Sequence, residues 1–96
     1  MRYLVVLDAE SAIGRVYAKG INDGFVNDGQ LDHPVLDCIE IATDSPYYLF
    51  VRRDLTRHGK SHQSMHVPHQ SVVAIHHYAD EGAKPFGFAT HGVATP

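Results

Sequence analysis

The chain has little of what usually identifies a small protein. Its 96 residues include one cysteine, Cys38, so no internal disulfide framework holds it together. Long apolar runs are missing as well. The longest stretches, "YLVVL" and "YYLFV", with "VVAI" next, are the length of strands and far short of a membrane span. In the opening "MRYLVVLDAE" one arginine is followed by five apolar or aromatic residues before Asp8, less than a secretory leader needs. These absences lead us to expect a soluble, cytoplasmic protein with no membrane partner. Positive charge is scarce: eight Lys and Arg face eleven Asp and Glu, giving a formal net charge of −3. That balance excludes a globally basic nucleic-acid binder.

Catalytic signatures are missing too. Cys38 sits within an apolar alternating stretch and reads as a small hydrophobe rather than a nucleophile. Ser71 lies too near His69 in sequence for a Ser–His pair to be presumed. Asp8 and Glu10 read as an ordinary turn. Two Asn-Asp-Gly triplets, at 22–24 and 27–29, lack the strand, loop and lysine-bearing helix of a phosphate loop. No longer segment follows either copy to make a repeat. We expect no enzyme and no cofactor.

What the chain does have is histidine, eight in all. Imidazole titrates near pH 6.5 when unperturbed, so full protonation would carry the formal charge from −3 to +5. Four histidines fall in "RHGKSHQSMHVPHQ" (57–70): His58, His62, His66 and His69. On a helix the first three would share a face and suit zinc. Gly59, Ser61, Ser64 and Pro68 argue against a helix, and in a strand His62 and His66 face one side while His69 faces the other. We therefore expect no metal site, and keep a histidine-rich metal-binding protein as an alternative. Beside this stretch, Arg52, Arg53, Arg57 and Lys60 fall within nine positions that hold one acid, Asp54.

The elements follow from pattern and punctuation. Residues 2–7 read as a strand ending at "DAES". Residues 11–21 are ambiguous. Ile13, Val16 and Tyr17 have helical spacing with Ser11 as cap and Gly20 as stop, whereas Gly14 and the alternation of Val16, Ala18 and Gly20 allow a strand; we read a strand. Residues 22–34 read as turns or loop, 35–43 as a strand, and Asp44, Ser45 and Pro46 as a turn. Residues 47–55 read as a core strand, followed by a polar loop around Gly59. A short strand then ends at or is confined to an edge by Pro68, and a buried strand covers 71–78. Residues 1–82 form one domain, and 83–96 an irregular tail. Closely spaced strands suggest a mainly β fold: a small, strongly bent five-stranded antiparallel barrel, with or without a short N-terminal helix.

The second half of the chain resembles the Sm-like (LSm) family, including its bacterial Hfq branch. "CIEIATDSPYYLFV" is similar to the family's first motif, with Asp44, two turn residues, then Tyr47, Tyr48 and the apolar Leu49, Phe50 and Val51. "HVPHQSVVAI" resembles the second: a short strand, a one-turn corner and a final apolar strand. The similarity spans residues 36–77. The chain departs from the family at Cys38, where glycine is usual, at Tyr48, where asparagine is, and at Pro68, which replaces the basic partner of His69. The resemblance implies a homo-oligomeric ring formed through strand edges, binding single-stranded RNA or DNA without catalysis. The residues implicated are Asp44, Tyr47, Tyr48, Arg52, Arg53, Arg57, Lys60, His69 and Gln70. Bases would stack on Tyr47 or Tyr48, although those tyrosines read as readily as core. A β-rich scaffold for an unknown partner is a further alternative.

Overall fold

A computed structural model describes residues 2–55, 59, 62–78 and 88–89. Within them the fold is mainly β: β1 (Arg2–Leu7), β2 (Phe25–Asn27), β3 (Asp32–Ala42), β4 (Tyr48–Asp54), β5 (His62–Pro68), β6 (Val72–Tyr78) and β7 (Phe88–Ala89), with one helix, α1 (Ala12–Ala18). A single turn of 3-10 helix, His69–Ser71, separates β5 from β6. The strands lie in the order β5-β4-β3-β1-β6, all neighbours antiparallel, and β2 pairs with the start of β3 and with β7.

The sheet is open. Strands β5 and β6 occupy the two ends of the path, and among the described residues no pairing joins them, so the expected closed barrel is not what this sheet forms. The reason lies in the corner. His69–Ser71 leads β6 away from β5 and back to β1, where Val5 sits opposite Ile75.

Period-2 alternation gives the sheet two faces. One carries Val5, Leu7, Leu36, Cys38, Leu49, Val51 and Val67, all fully buried, and is covered by Ile13 and Tyr17 of α1 together with Ile21. The other is apolar only at the β1–β3–β6 end, where Leu4, Val6, Val35 and Tyr78 cluster. At about 1.5–3 kcal/mol for each fully buried Val or Leu, the helix-covered face is the main core.

Within residues 11–21, Ala12–Ala18 are helical, not the strand that the glycines suggested. Ser11 decides it: its Oγ accepts the Gly14 N–H at 2.9 Å and donates to the Asp8 carbonyl at 2.7 Å, an N-cap tied to the end of β1. At the other end Asn22 Nδ2 donates to the carbonyls of Tyr17 and Ala18. Gly14 is the helix's buried residue, and a Cβ there would overlap the Asp8 carbonyl oxygen.

Residues 22–34 also hold more structure than a loop. The first triplet supplies the helix cap Asn22, then Asp23, then Gly24 at φ 135°. The second turns the β2–β3 hairpin: Asn27 Oδ1 accepts the Gly29 N–H, and Asp28 Oδ1 accepts those of Gln30 and Leu31. Asp28 Oδ2 also accepts a 2.8 Å bond from His33 Nε2, whose Nδ1 accepts the Ala9 N–H at 3.0 Å. The imidazole is thus held as the Nε2–H tautomer, linking this hairpin to the end of β1. These backbone donors first, with His33, hold the Asp28 carboxyl well below the usual range.

A carboxylate depressed on folding stabilises the fold fully above its unfolded pKa of about 3.9, and that contribution drains away as pH falls below it. Asp28→Asn should therefore lose less stability than wild type between pH 5 and pH 3. Urea midpoints at the two pH values measure this, and parallel losses would remove the assignment.

Candidate functional site

Strand β4 splits its two arginines by parity. Arg53 points to the helix side, where its side chain is buried. It donates to Asp23 through Nε (3.2 Å to Oδ2) and a terminal nitrogen (2.9 Å to Oδ1), and to Gln63 Oε1 at 2.7 Å. Asp23 Oδ2 also accepts the Asp37 N–H of β3 at 2.7 Å. Beside this point the 22–24 segment bonds to Val35 through the Asp23 N–H and the Gly24 carbonyl, and β4 begins to pair at Cys38. The Asp23 carboxylate fills the ladder where β3 changes partners, and Arg53 neutralises it. Arg53 is thus committed inside the protein and cannot serve a solvent-side ligand in this arrangement.

Arg52 takes the opposite face. It pairs with Glu40 at 3.0 Å, both side chains substantially exposed, and its guanidinium carbon lies 5.9 Å from the centre of the Phe50 ring. His66 of β5 sits beside that ring, 5.5 Å between centroids, and meets Tyr48 edge-on at 6.4 Å. Tyr48, Phe50, Arg52 and His66 therefore form one strip on the outer face. Sequence reasoning missed Phe50 and His66 here, although counting every second residue from Tyr48 reaches Phe50 and Arg52 directly.

Where β4 begins, the strip opens into a shallow cleft of about 450 Å³ lined by Pro46, Tyr47, Tyr48, Pro68, His69 and Gln70. Tyr47 is 74% and Tyr48 48% exposed, so both rings face solvent rather than the core. Strand parity would separate neighbours, but Tyr47 precedes β4 and is free of it. The cleft holds its shape through His69: its N–H donates to the Tyr47 carbonyl at 3.0 Å and its Nε2 lies 2.7 Å from the Ser45 carbonyl oxygen. A carbonyl only accepts, so Nε2 carries the proton and Nδ1 is the ring's remaining polar atom. Four of the nine residues singled out from sequence meet at this cleft. Asp44 stands exposed in the adjoining turn, Arg52 lies along the strip, and Arg57 and Lys60 fall outside the described residues.

On the strip's far side Tyr78 donates to Asp37 Oδ1 at 2.7 Å. Arg2 approaches Asp37 at 3.4 Å and Asp54 at 3.5 Å. Burial, then the bond to Asp37, keeps the Tyr78 phenol protonated well above its usual range. Burial likewise pushes the Cys38 thiol up to about 12, helped by the charges of Asp23 and Asp37. An inert thiol agrees with its reading as a small hydrophobe. Among the described residues no group of three or more His, Cys, Asp or Glu is placed to hold a metal ion. None of the helices there is long and apolar enough to cross a membrane. No family model, curated protein or solved structure matches the chain.

Proposed function

We propose that the protein is a non-catalytic module that binds single-stranded nucleic acid along the cleft and strip of β4 and β5, and that it works as a homo-oligomer. The observation that carries this reading is the exposure of Tyr47 and Tyr48 beside His69 and Gln70 in one cleft. Flat rings open to solvent cost apolar exposure that folding alone does not require. Stacked bases would cover them without regard to sequence, each stack contributing about 1–3 kcal/mol. The Gln70 amide and the His69 ring add polar partners at the cleft edge. The corner at His69–Ser71, between a short strand and a final apolar one, fits the Sm-like second motif. The end strands β5 and β6, seven residues each and with no outer partner among the described residues, supply backbone groups through which copies could pair.

Fluorescent oligo-U titrated across a salt series tests the reading. Tyr47→Ala and Tyr48→Ala should each weaken binding by about 5- to 150-fold, the affinity equivalent of one stack. Arg52→Ala should flatten the salt dependence. Absence of binding at low salt, or full affinity in the double tyrosine variant, sinks the proposal. Light scattering addresses the assembly, and a clean monomer at tens of micromolar, roughly where weak association appears by mass action, counts against it.

A further inference from the structure

The strip's charge at neutral pH is a puzzle for a surface meant to meet a polyanion. Its described cation, Arg52, is paired with the Glu40 carboxylate at 3.0 Å, so the pair contributes almost no net charge. Two imidazoles flank Tyr48: His66, in ring contact with Tyr48 and Phe50, and His69, at the cleft; a third, His62, lies at the far end of the same face of β5, opposite Asp54.

We infer that His66 and His69 make this face acid-responsive, binding a polyanionic strand more tightly as pH falls from 7.5 to 5.5. The inference rests on the functional reading above. For His69 the geometry is specific. Its Nε2–H is already donated to the Ser45 carbonyl, so the neutral ring offers a lone pair at Nδ1, which repels a phosphate oxygen. Protonation places a second N–H there without disturbing the first bond, turning an acceptor into a charged donor. His66 is exposed on β5 and gains a cation beside Arg52, leaving the Glu40 carboxylate outnumbered.

The charged and titratable groups around the two rings, among the described residues, do not oppose this change. His66 faces Tyr48, with Arg52 and Glu40 further along the strip and His62 opposite Asp54 at its end; His69 faces Tyr47 and Tyr48, with Asp44 beside Ser45 in the turn. Arg52 is offset by Glu40, and imidazole is the side chain type whose charge commonly changes between about pH 5 and 8.

The measurement is oligo-U affinity at pH 7.5, 6.5 and 5.5 at constant ionic strength, since uracil and the phosphodiester hold their charge across that range. Wild type should tighten about tenfold, and the slope of log K against log salt should steepen by about 1.4, two further phosphate contacts at about 0.7 each for a single strand. The His66→Gln, His69→Gln double variant should show neither change, whatever its affinity at pH 7.5. Tyr47→Ala should weaken binding at every pH and leave both changes in place. Calorimetry in two buffers of different ionisation enthalpy should detect proton uptake on binding near pH 6.5 in wild type and none in the double variant. Binding that is real but independent of pH, or a pH response that survives in the double variant, overturns the inference and leaves the functional reading standing. No binding at any of the three pH values removes both.

Discussion

Arg53→Ala should destabilise the fold by about 3–5 kcal/mol, the usual cost of stranding one member of a buried ion pair. The Arg53 and Asp23 side chains are 7% and 10% exposed, so water cannot take over the lost contacts. Asp23 would keep a charge with one backbone donor, the Asp37 N–H, and Gln63 would lose its 2.7 Å donor. Adding Asp23→Asn should return a substantial part of the loss, because the amide oxygen can still accept from Asp37 while the buried charge is gone. Urea unfolding of the two variants beside wild type measures both effects. A loss below about 1 kcal/mol, the level of an exposed ion pair, would show that the pair is not structural. Because it is, Arg53 variants are unsuitable as probes of ligand binding.

Gly14→Ala should cost at least about 3 kcal/mol, at or beyond the upper end for overpacking a core, even though alanine gains about 1 kcal/mol in helix propensity over glycine. The added methyl would overlap the Asp8 carbonyl oxygen and crowd the Ser11 hydroxyl. Neither can yield cheaply. That carbonyl accepts from both the Ser11 N–H, at 3.0 Å, and Ser11 Oγ, at 2.7 Å, so moving it dismantles the cap and lifts Ile13 and Tyr17 off the core. Gly20→Ala is the control: nothing lies within 4 Å of a Cβ there. Thermal unfolding should separate the two clearly, and near-equal melting temperatures would refute the close approach.

Gly14 also explains why the sequence misled at this point. A glycine inside a seven-residue helical pattern lowers helix propensity, and propensity cannot see the carbonyl eight residues from the chain start against which the helix rests. Strands dense in β-branched and aromatic residues were legible, as were the turn at Asp44–Pro46 and the stop at Pro68, because each depends on local chemistry. The hairpin at 25–34 was hidden for the opposite reason: its turn residues are conspicuous, while β2 has three residues and draws its order from pairing with β3. At the site, composition grouped Arg52 with Arg53, and only strand parity with a distant partner, Asp23, separates them. Tyr47, Tyr48, His69 and Gln70 entered separately, among nine residues implied by the Sm-like resemblance; that they share one cleft follows from a turn and a corner that bring two short windows face to face, which no local pattern shows. Of His33, buried between Ala9 and Asp28, the sequence held no signal beyond a histidine preceding proline.

The placement of β1 has a bearing on how the chain is made. It is made before the other strands of the sheet, yet it ends in the sheet's interior, with Val5 opposite Leu36 on one side and Ile75 on the other. One flank can be filled as soon as β3 emerges. The second must wait for Val72–Tyr78, so until β6 has been made a strand of "RYLVVL" keeps an unpaired flank. Contacts of such long sequence separation are slow to form and expose nascent chains to association. Shortening the protein from its C-terminal side into β6 would therefore not trim a margin of the sheet; it would uncover the strand around which both clusters of the core are built.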